Sequence, residues 1–170
     1  MDVGIRIYLD YHRVVSDFKK LRVWRNAHAL MLNVRRTART IRPSEYSDLR
    51  SQMTRAAMSI AANIVEGRGK QSEAEFARFV DIAKGSAAEL EYHLIAARDL
   101  DAITQSDFHS LRDQVEEVAK MLRGLSDCLR ASIDESTARK KSQGLSAKRR
   151  ASGVERKARS VAVSDRSKKK

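Results

Sequence analysis

SQMTRAAMSIAANIVEGRGKQSEAEFARFVDIAKGSAAELEYHL, residues 51–94, is the stretch from which the fold is read. Within it Met53, Ala56, Ala57, Ile60, Ala61 and Ile64 recur at three- and four-residue spacing, and Leu49 extends the stripe upstream. That is the period of one face of an α-helix. The pattern stops near Gly67, where a left-handed C-cap costs glycine least. After a short polar connection from Arg68 to Gln71, Ser72 and Glu75 form an S-x-x-E capping box. A longer helix follows, with Phe76, Phe79, Val80, Ala83, Ala87, Leu90, Leu94 and Ala97 on its apolar side.

Two features of this stretch ask for explanations. Gly85 lies inside a helix, where glycine costs about 1 kcal/mol relative to alanine. Close approach of the preceding helix, with its Ala56, Ala57, Ala61 and Ala62, is the expected reason. Arg55, Ser59, Asn63 and Glu66 form a polar stripe beside the apolar one, and Ser86 and Glu89 are placed to meet it across the bundle. These six read as a buried hydrogen-bond network that fixes helix register, with a ligand site as the other reading.

Upstream, Leu21, Trp24, Ala27, His28, Met31, Leu32 and Val34 or Arg35 give a first helix to about Thr40, and Trp24 reads as core. Pro43 ends it, and Ser44 offers the next N-cap. Downstream, Thr104 and Asp107 start a fourth helix whose stripe runs through Leu111, Val115, Val118, Leu122, Leu125 and Leu129 to about Ser132. Cys128, the one cysteine, reads as a small core hydrophobe. Four long helices with short links, one proline and seven glycines make an all-α chain, an antiparallel up-down-up-down four-helix bundle. Residues 1–16 are an N-terminal extension, 17–135 the bundle and 136–170 a basic tail. Val3, Ile5, Ile7, Leu9 and Tyr11 alternate at the period of a strand, which either pairs with a neighbouring subunit or belongs to a flexible extension; the second is favoured.

Charge is distributed unevenly. Residues 136–170 hold thirteen Lys or Arg, among them Lys148, Arg149, Arg150, Arg156, Lys157 and Arg159, against Glu155 and Asp165. With no aromatic side chain and few large aliphatics, this tail cannot bury enough surface to offset its chain entropy, so it reads as disordered when free. Residues 17–42 carry Lys19, Lys20, Arg22, Arg25, Arg35, Arg36, Arg39 and Arg42 against Asp17 alone, whereas residues 71–135 carry seven basic and fourteen acidic side chains. That polarity suits an anionic partner on the first helix, subunits packed head to tail, or merely solvated helix faces.

The chemistry-bearing patterns are sparse. A di-iron bundle site needs Glu-x-x-His on two helices, and Glu89 with His93 is a single pair at a different spacing. His28, His93 and His109 fall on different helices, so no metal is expected. Gly67 and Gly69 flank only Arg68, which is a turn and not a phosphate loop. Nothing points to a nucleophile with its base or to a cofactor, and the chain is read as no enzyme. No apolar run approaches the roughly 20 residues that span a bilayer, and a cytoplasmic protein without a membrane role is expected.

The run from Ser51 to Leu94, preceded by DFKKLRVWRNAHAL from Asp17, resembles the bacterial four-helix-bundle family encoded in intervening sequences of 23S ribosomal RNA genes. That family includes the accessory variability protein of diversity-generating retroelements. The most specific segments are Ser59-Ile60-Ala61-Ala62-Asn63-Ile64-Val65-Glu66-Gly67 and Ala83-Lys84-Gly85-Ser86 with Glu89-Leu90-Glu91, and the likeness extends over about Asp17 to Arg130. The resemblance implies a four-helix protomer, assembly into a homopentameric ring, no catalysis and, in the retroelement branch, binding of nucleic acid and a reverse transcriptase.

Taken together, these features predict a non-catalytic, oligomeric nucleic-acid-binding protein, for structured RNA before DNA, acting through the basic first helix and the basic tail. The contrasting expectation is a protein-interaction scaffold such as an accessory subunit of a retroelement reverse transcriptase.

Overall fold

The computed structural model describes residues 18–167, and the side chains of residues 18–42 and 44–143. A 3-10 turn, Phe18–Lys20, leads into α1 (Arg22–Ala38), α2 (Pro43–Arg68), α3 (Glu73–Asp99) and α4 (Gln105–Ser167). There is no strand among the described residues, and the extension 1–16 with its alternating stretch lies outside them. The chain divides after Arg130 into two compact units.

In the first unit α1 buries Val23, Ala27, Leu30, Val34 and Ala38. This corrects the face read from the sequence. Trp24, His28 and Met31 are half-buried and Leu32 is 47% exposed, because apolar side chains occur on both flanks of α1 and only one flank meets the other helices. Trp24 closes the edge of the core instead, with Phe18 against it edge-on at 4.7 Å and His28 stacked on it at 5.1 Å.

Pro43 does not merely end α1; it occupies the first turn of α2, where its fixed φ is already helical and its missing N–H had no partner to lose. The N-cap is therefore Arg42, without a side-chain cap, and not Ser44. A kink at Tyr46 (φ −131, ψ 34) follows, and the Tyr46 hydroxyl donates to the Leu100 carbonyl at 3.2 Å. Met53, Ala56, Ala57, Ile60, Ala61 and Ile64 are buried as their spacing predicts.

The two glycines exchange roles. α2 continues through Gly67 to Arg68, and no glycine has a positive φ among the described residues. A Cβ at Gly67 would stand 2.6 Å from Phe79 Cβ and 2.7 Å from Phe76 Cδ2, so glycine is there to let the start of α3 pack on the end of α2. At Gly85 a Cβ would meet nothing within 4 Å, so the expected close approach is not at this position. The turn between the helices is finished by Lys70, whose ammonium sits 4.8 Å over the Phe79 ring and 3.3 Å from Glu66.

Ser72 caps α3 as its S-x-x-E pattern predicts: the Glu75 N–H donates to Ser72 Oγ at 3.2 Å, and the Ser72 hydroxyl, not its N–H, donates to the Glu75 carboxylate at 3.1 Å. Thr104 does the same for α4, accepting from the Asp107 N–H at 3.0 Å. α3 buries Phe76, Val80, Ala83, Ala87, Leu90, Leu94 and Ala97, and α4 buries Phe108, Leu111, Val115, Val118, Leu122 and Leu129. Cys128 is exposed, which corrects its placement in the core; the inward positions are Leu122, Ser126 and Leu129, and Cys128 falls between them on the outer side. Contacts run in opposite numerical order on paired helices: Ser59 with Ser86 and Gly67 with Phe79 for α2 and α3, Asn26 with Met121 and Asn33 with Gln114 for α1 and α4. These pairs are antiparallel.

The second unit, from Ala131 onward, is helical to Ser167, which moves the end of α4 well past Ser132. Ala, Lys, Arg, Gln and Glu are good helix formers, and each added residue costs little once a helix is nucleated. What the composition does deny this stretch is a buried stripe: residues 134–143 are all exposed. Local contacts such as Arg139 with Glu135 at 3.9 Å are what it has, and each is worth a few tenths of a kcal/mol.

Candidate nucleic-acid interface

The eight cations expected on the first helix are spread along it. Lys19 and Lys20 sit on the 3-10 turn and Arg22 and Arg25 at the start of α1, whereas Arg35, Arg36 and Arg39 lie at its end, about 20 Å along the axis. Arg22 is partly neutralised by Glu117 of α4 at 3.6 Å, and Arg42 by Glu45 at 3.7 Å. Arg36 donates to Asn33 Oδ1 at 3.2 Å, and Asn33 donates onward to Gln114 Oε1 at 2.7 Å.

Arg35 and Arg39, one turn apart, face a groove of about 400 Å³ between α1 and α2. Arg50 and Arg55 of α2 complete it, with Ser47, Ser51 and Thr54. Among the described residues no carboxylate and no aromatic ring lines this groove. Arg50 Nε is buried and has no hydrogen-bond partner among the described residues. Sequence reading missed Arg50 and assigned Arg55 elsewhere, because charges were weighed one segment at a time. The available signal was the four-residue spacing of Arg35 and Arg39, which marks one helix face that a neighbour could extend.

Of the six residues expected in the polar network, three come together. Ser59 Oγ and Ser86 Oγ are 2.8 Å apart, Asn63 donates to the Ser59 carbonyl at 2.8 Å and to its Oγ at 3.1 Å, and Ser86 donates to the Ile82 carbonyl at 3.1 Å. Ser86 is buried, so this cluster fixes the register of α2 against α3. Arg55 belongs to the groove, Glu66 pairs with Lys70, and Glu89 lies 3.6 Å from His93. A second polar cluster, unforeseen, joins α3 to α4: Asp81 accepts from Arg130 at 2.8 Å, Lys84 at 3.1 Å and Ser126 at 3.3 Å. Burial works to raise the Asp81 pKa, but the Lys84 hydrogen bond and the charges of Lys84 and Arg130 more than reverse it and hold it below the usual value.

The tail cations Lys148, Arg149, Arg150, Arg156, Lys157 and Arg159 lie on α4, and their side chains are outside the described residues. No helix among the described residues is long and apolar enough to cross a membrane.

The chain matches a family model, 23S rRNA-intervening sequence protein, over residues 19–124. The chain belongs to this family. It is also similar to a crystal structure from Bacteroides thetaiotaomicron VPI-5482, a protein of unknown function from the S23 ribosomal protein family. The two are 25% identical, the match covers 61% of this chain and 97% of that one, and the TM-score is 0.57. No curated protein matches the chain. Within the 23S rRNA-intervening sequence protein match lie all four groove arginines and the Ser59–Asn63–Ser86 cluster, while the tail cations fall outside it.

Proposed function

We propose that this chain is a non-catalytic, cytoplasmic nucleic-acid-binding protein that works as a homo-oligomer and holds structured RNA through the arginine-rich face of α1 and α2, assisted by its basic tail. The observation that carries this reading is the convergence of Arg35, Arg39, Arg50 and Arg55 on one groove with no carboxylate among its described lining residues. Guanidinium groups match phosphate oxygens in fork geometry, and displacing counterions from the strand supplies affinity without reading sequence. With no aromatic ring among the described residues that line the groove, bases find no stacking partner on these walls, so contact is with the backbone. The family's name links its members to intervening sequences of 23S rRNA, which favours RNA over DNA.

Self-association follows from a separate feature. Ile82, Tyr92 and Ile95 of α3 and Met58 of α2 are exposed apolar side chains, with open space over Gly85 among them. A second copy of the chain is the proposed occupant, because the basic segment 17–42 complements the acidic segment 71–135 and a head-to-tail contact closes into a ring, of five by the family resemblance. Repeating the groove around a ring multiplies weak phosphate contacts into avidity. The test is binding of a labelled hairpin RNA across a salt series, with light scattering on the same samples. Salt-sensitive binding by a multi-subunit species supports the reading; a monomer indifferent to RNA rejects it in favour of a protein scaffold.

A further inference from the structure

We infer that the α1–α2 groove is a discrete phosphate site, one per protomer, in which the guanidinium groups of Arg35, Arg39, Arg50 and Arg55 enclose a single phosphate of a nucleic-acid strand. This deepens the nucleic-acid reading and, for the strand, rests on it. Two observations separate such a site from a merely positive surface. Four arginines line one concavity with no carboxylate among its described lining residues, the nearby Asp48 being engaged by the Ser47 hydroxyl at 3.4 Å, and a bound anion relieves the mutual repulsion of the four. Arg50 Nε is buried and has no acceptor among the described residues, and buried donors in folded proteins are almost always paired. A phosphate that drew the Arg50 side chain outward into the groove would give that Nε an acceptor.

The other walls agree with phosphate. Ser51 offers a hydroxyl, whereas the Thr54 hydroxyl is already committed to the Arg50 carbonyl at 2.9 Å and holds the turn that carries Arg50. A groove of about 400 Å³ admits a phosphate with its adjoining sugar. Arginine at this position is a choice of shape as well as charge, since lysine carries the same charge as a point and lacks the Nε donor.

The experiment uses the full chain, titrated with inorganic pyrophosphate by calorimetry and with a labelled RNA hairpin by anisotropy. Three variants are compared with the parent: Arg50→Lys, Arg55→Gln and, as a control on α4 away from the groove, Arg123→Gln. A discrete site predicts one pyrophosphate per protomer, a loss of about tenfold or more in Arg50→Lys and Arg55→Gln, and a change within about twofold in Arg123→Gln. RNA affinity should follow the same order, with pyrophosphate competing. Should Arg50→Lys fail to fold, Arg55→Gln, at an exposed position, decides alone. Equal losses in all variants, or no pyrophosphate binding, overturn the site while leaving RNA binding by a diffuse surface intact. Pyrophosphate binding in the predicted order without any RNA binding upholds the site for free phosphate and refutes the nucleic-acid reading.

Discussion

Replacing Gly67 by alanine and Gly124 by alanine are chemically the same change inside helices, and the structure assigns them opposite signs. Alanine is favoured over glycine in a helix by about 1 kcal/mol, so Gly124→Ala, whose Cβ meets nothing within 4 Å, should stabilise by up to that amount. At Gly67 the new Cβ would stand 2.6 Å from Phe79 Cβ, about 0.8 Å closer than the 3.4 Å at which ordinary contact begins. Ring rotation can relieve the contact with Phe76, but Phe79 Cβ is bonded to the α3 backbone and moves only with the helix. Overpacking of this kind costs about 1–3 kcal/mol, from which the helical gain of about 1 kcal/mol must be subtracted, leaving Gly67→Ala destabilised by up to about 2 kcal/mol. Urea denaturation followed by circular dichroism measures both variants, and at about 2–4 °C per kcal/mol the melting temperatures should part visibly. A Gly67→Ala protein as stable as Gly124→Ala would refute the packing of α3 onto α2 through this glycine.

Three further expectations concern polar contacts and the second unit. In a double-mutant cycle, Ser59→Ala and Ser86→Ala should show a coupling of about 0.5–1.5 kcal/mol in chemical denaturation, and additive losses would deny the hydrogen bond between them. Because the folded pKa of Asp81 is below its ordinary value of 3.8, the contact with Lys84 and Arg130 stabilises fully above that value and is lost as pH falls through the folded one. Asp81→Asn should therefore flatten the acid side of the stability profile while lowering stability near neutrality; an unchanged acid limb would contradict this. Amides of residues 134–143, exposed and without tertiary packing, should exchange with solvent orders of magnitude faster than those of Val80 to Leu94, as mass spectrometry of peptides would show; equal protection would contradict the division after Arg130.

The stripes of α2, α3 and α4 were legible because their apolar residues fall on one side with charged residues elsewhere, and because Ser72 and Thr104 announce starts that the backbone then uses. The face of α1 was not, since Trp24 and Met31 outrank Val23 and Leu30 in size and nothing in one segment says which flank has neighbours. Gly67 and Gly85 were misassigned for a related reason: local sequence fixes what glycine permits, whereas the reason for its presence depends on which residues another helix brings near. The candidate site was half legible. Arg35 and Arg39 stood out as basic, but Arg50 became interesting only once burial left its Nε without a partner among the described residues and the fold placed it on the same groove. Likewise, a helix-forming composition without an apolar stripe states the local preference of residues 136–167 and says little about their length as a helix.

The most direct test of the proposed function is the slope of log affinity for a structured RNA against log salt, measured for the full chain and for a variant carrying Arg35→Gln, Arg39→Gln and Arg55→Gln. Each phosphate contact contributes about 0.7–0.9 to that slope. The account predicts salt-dependent binding by the parent and, in the variant, weaker binding with a slope reduced by at least about one contact, at unchanged helicity and melting temperature. Equal affinity and equal slope for the two proteins at about 150 mM salt would contradict it.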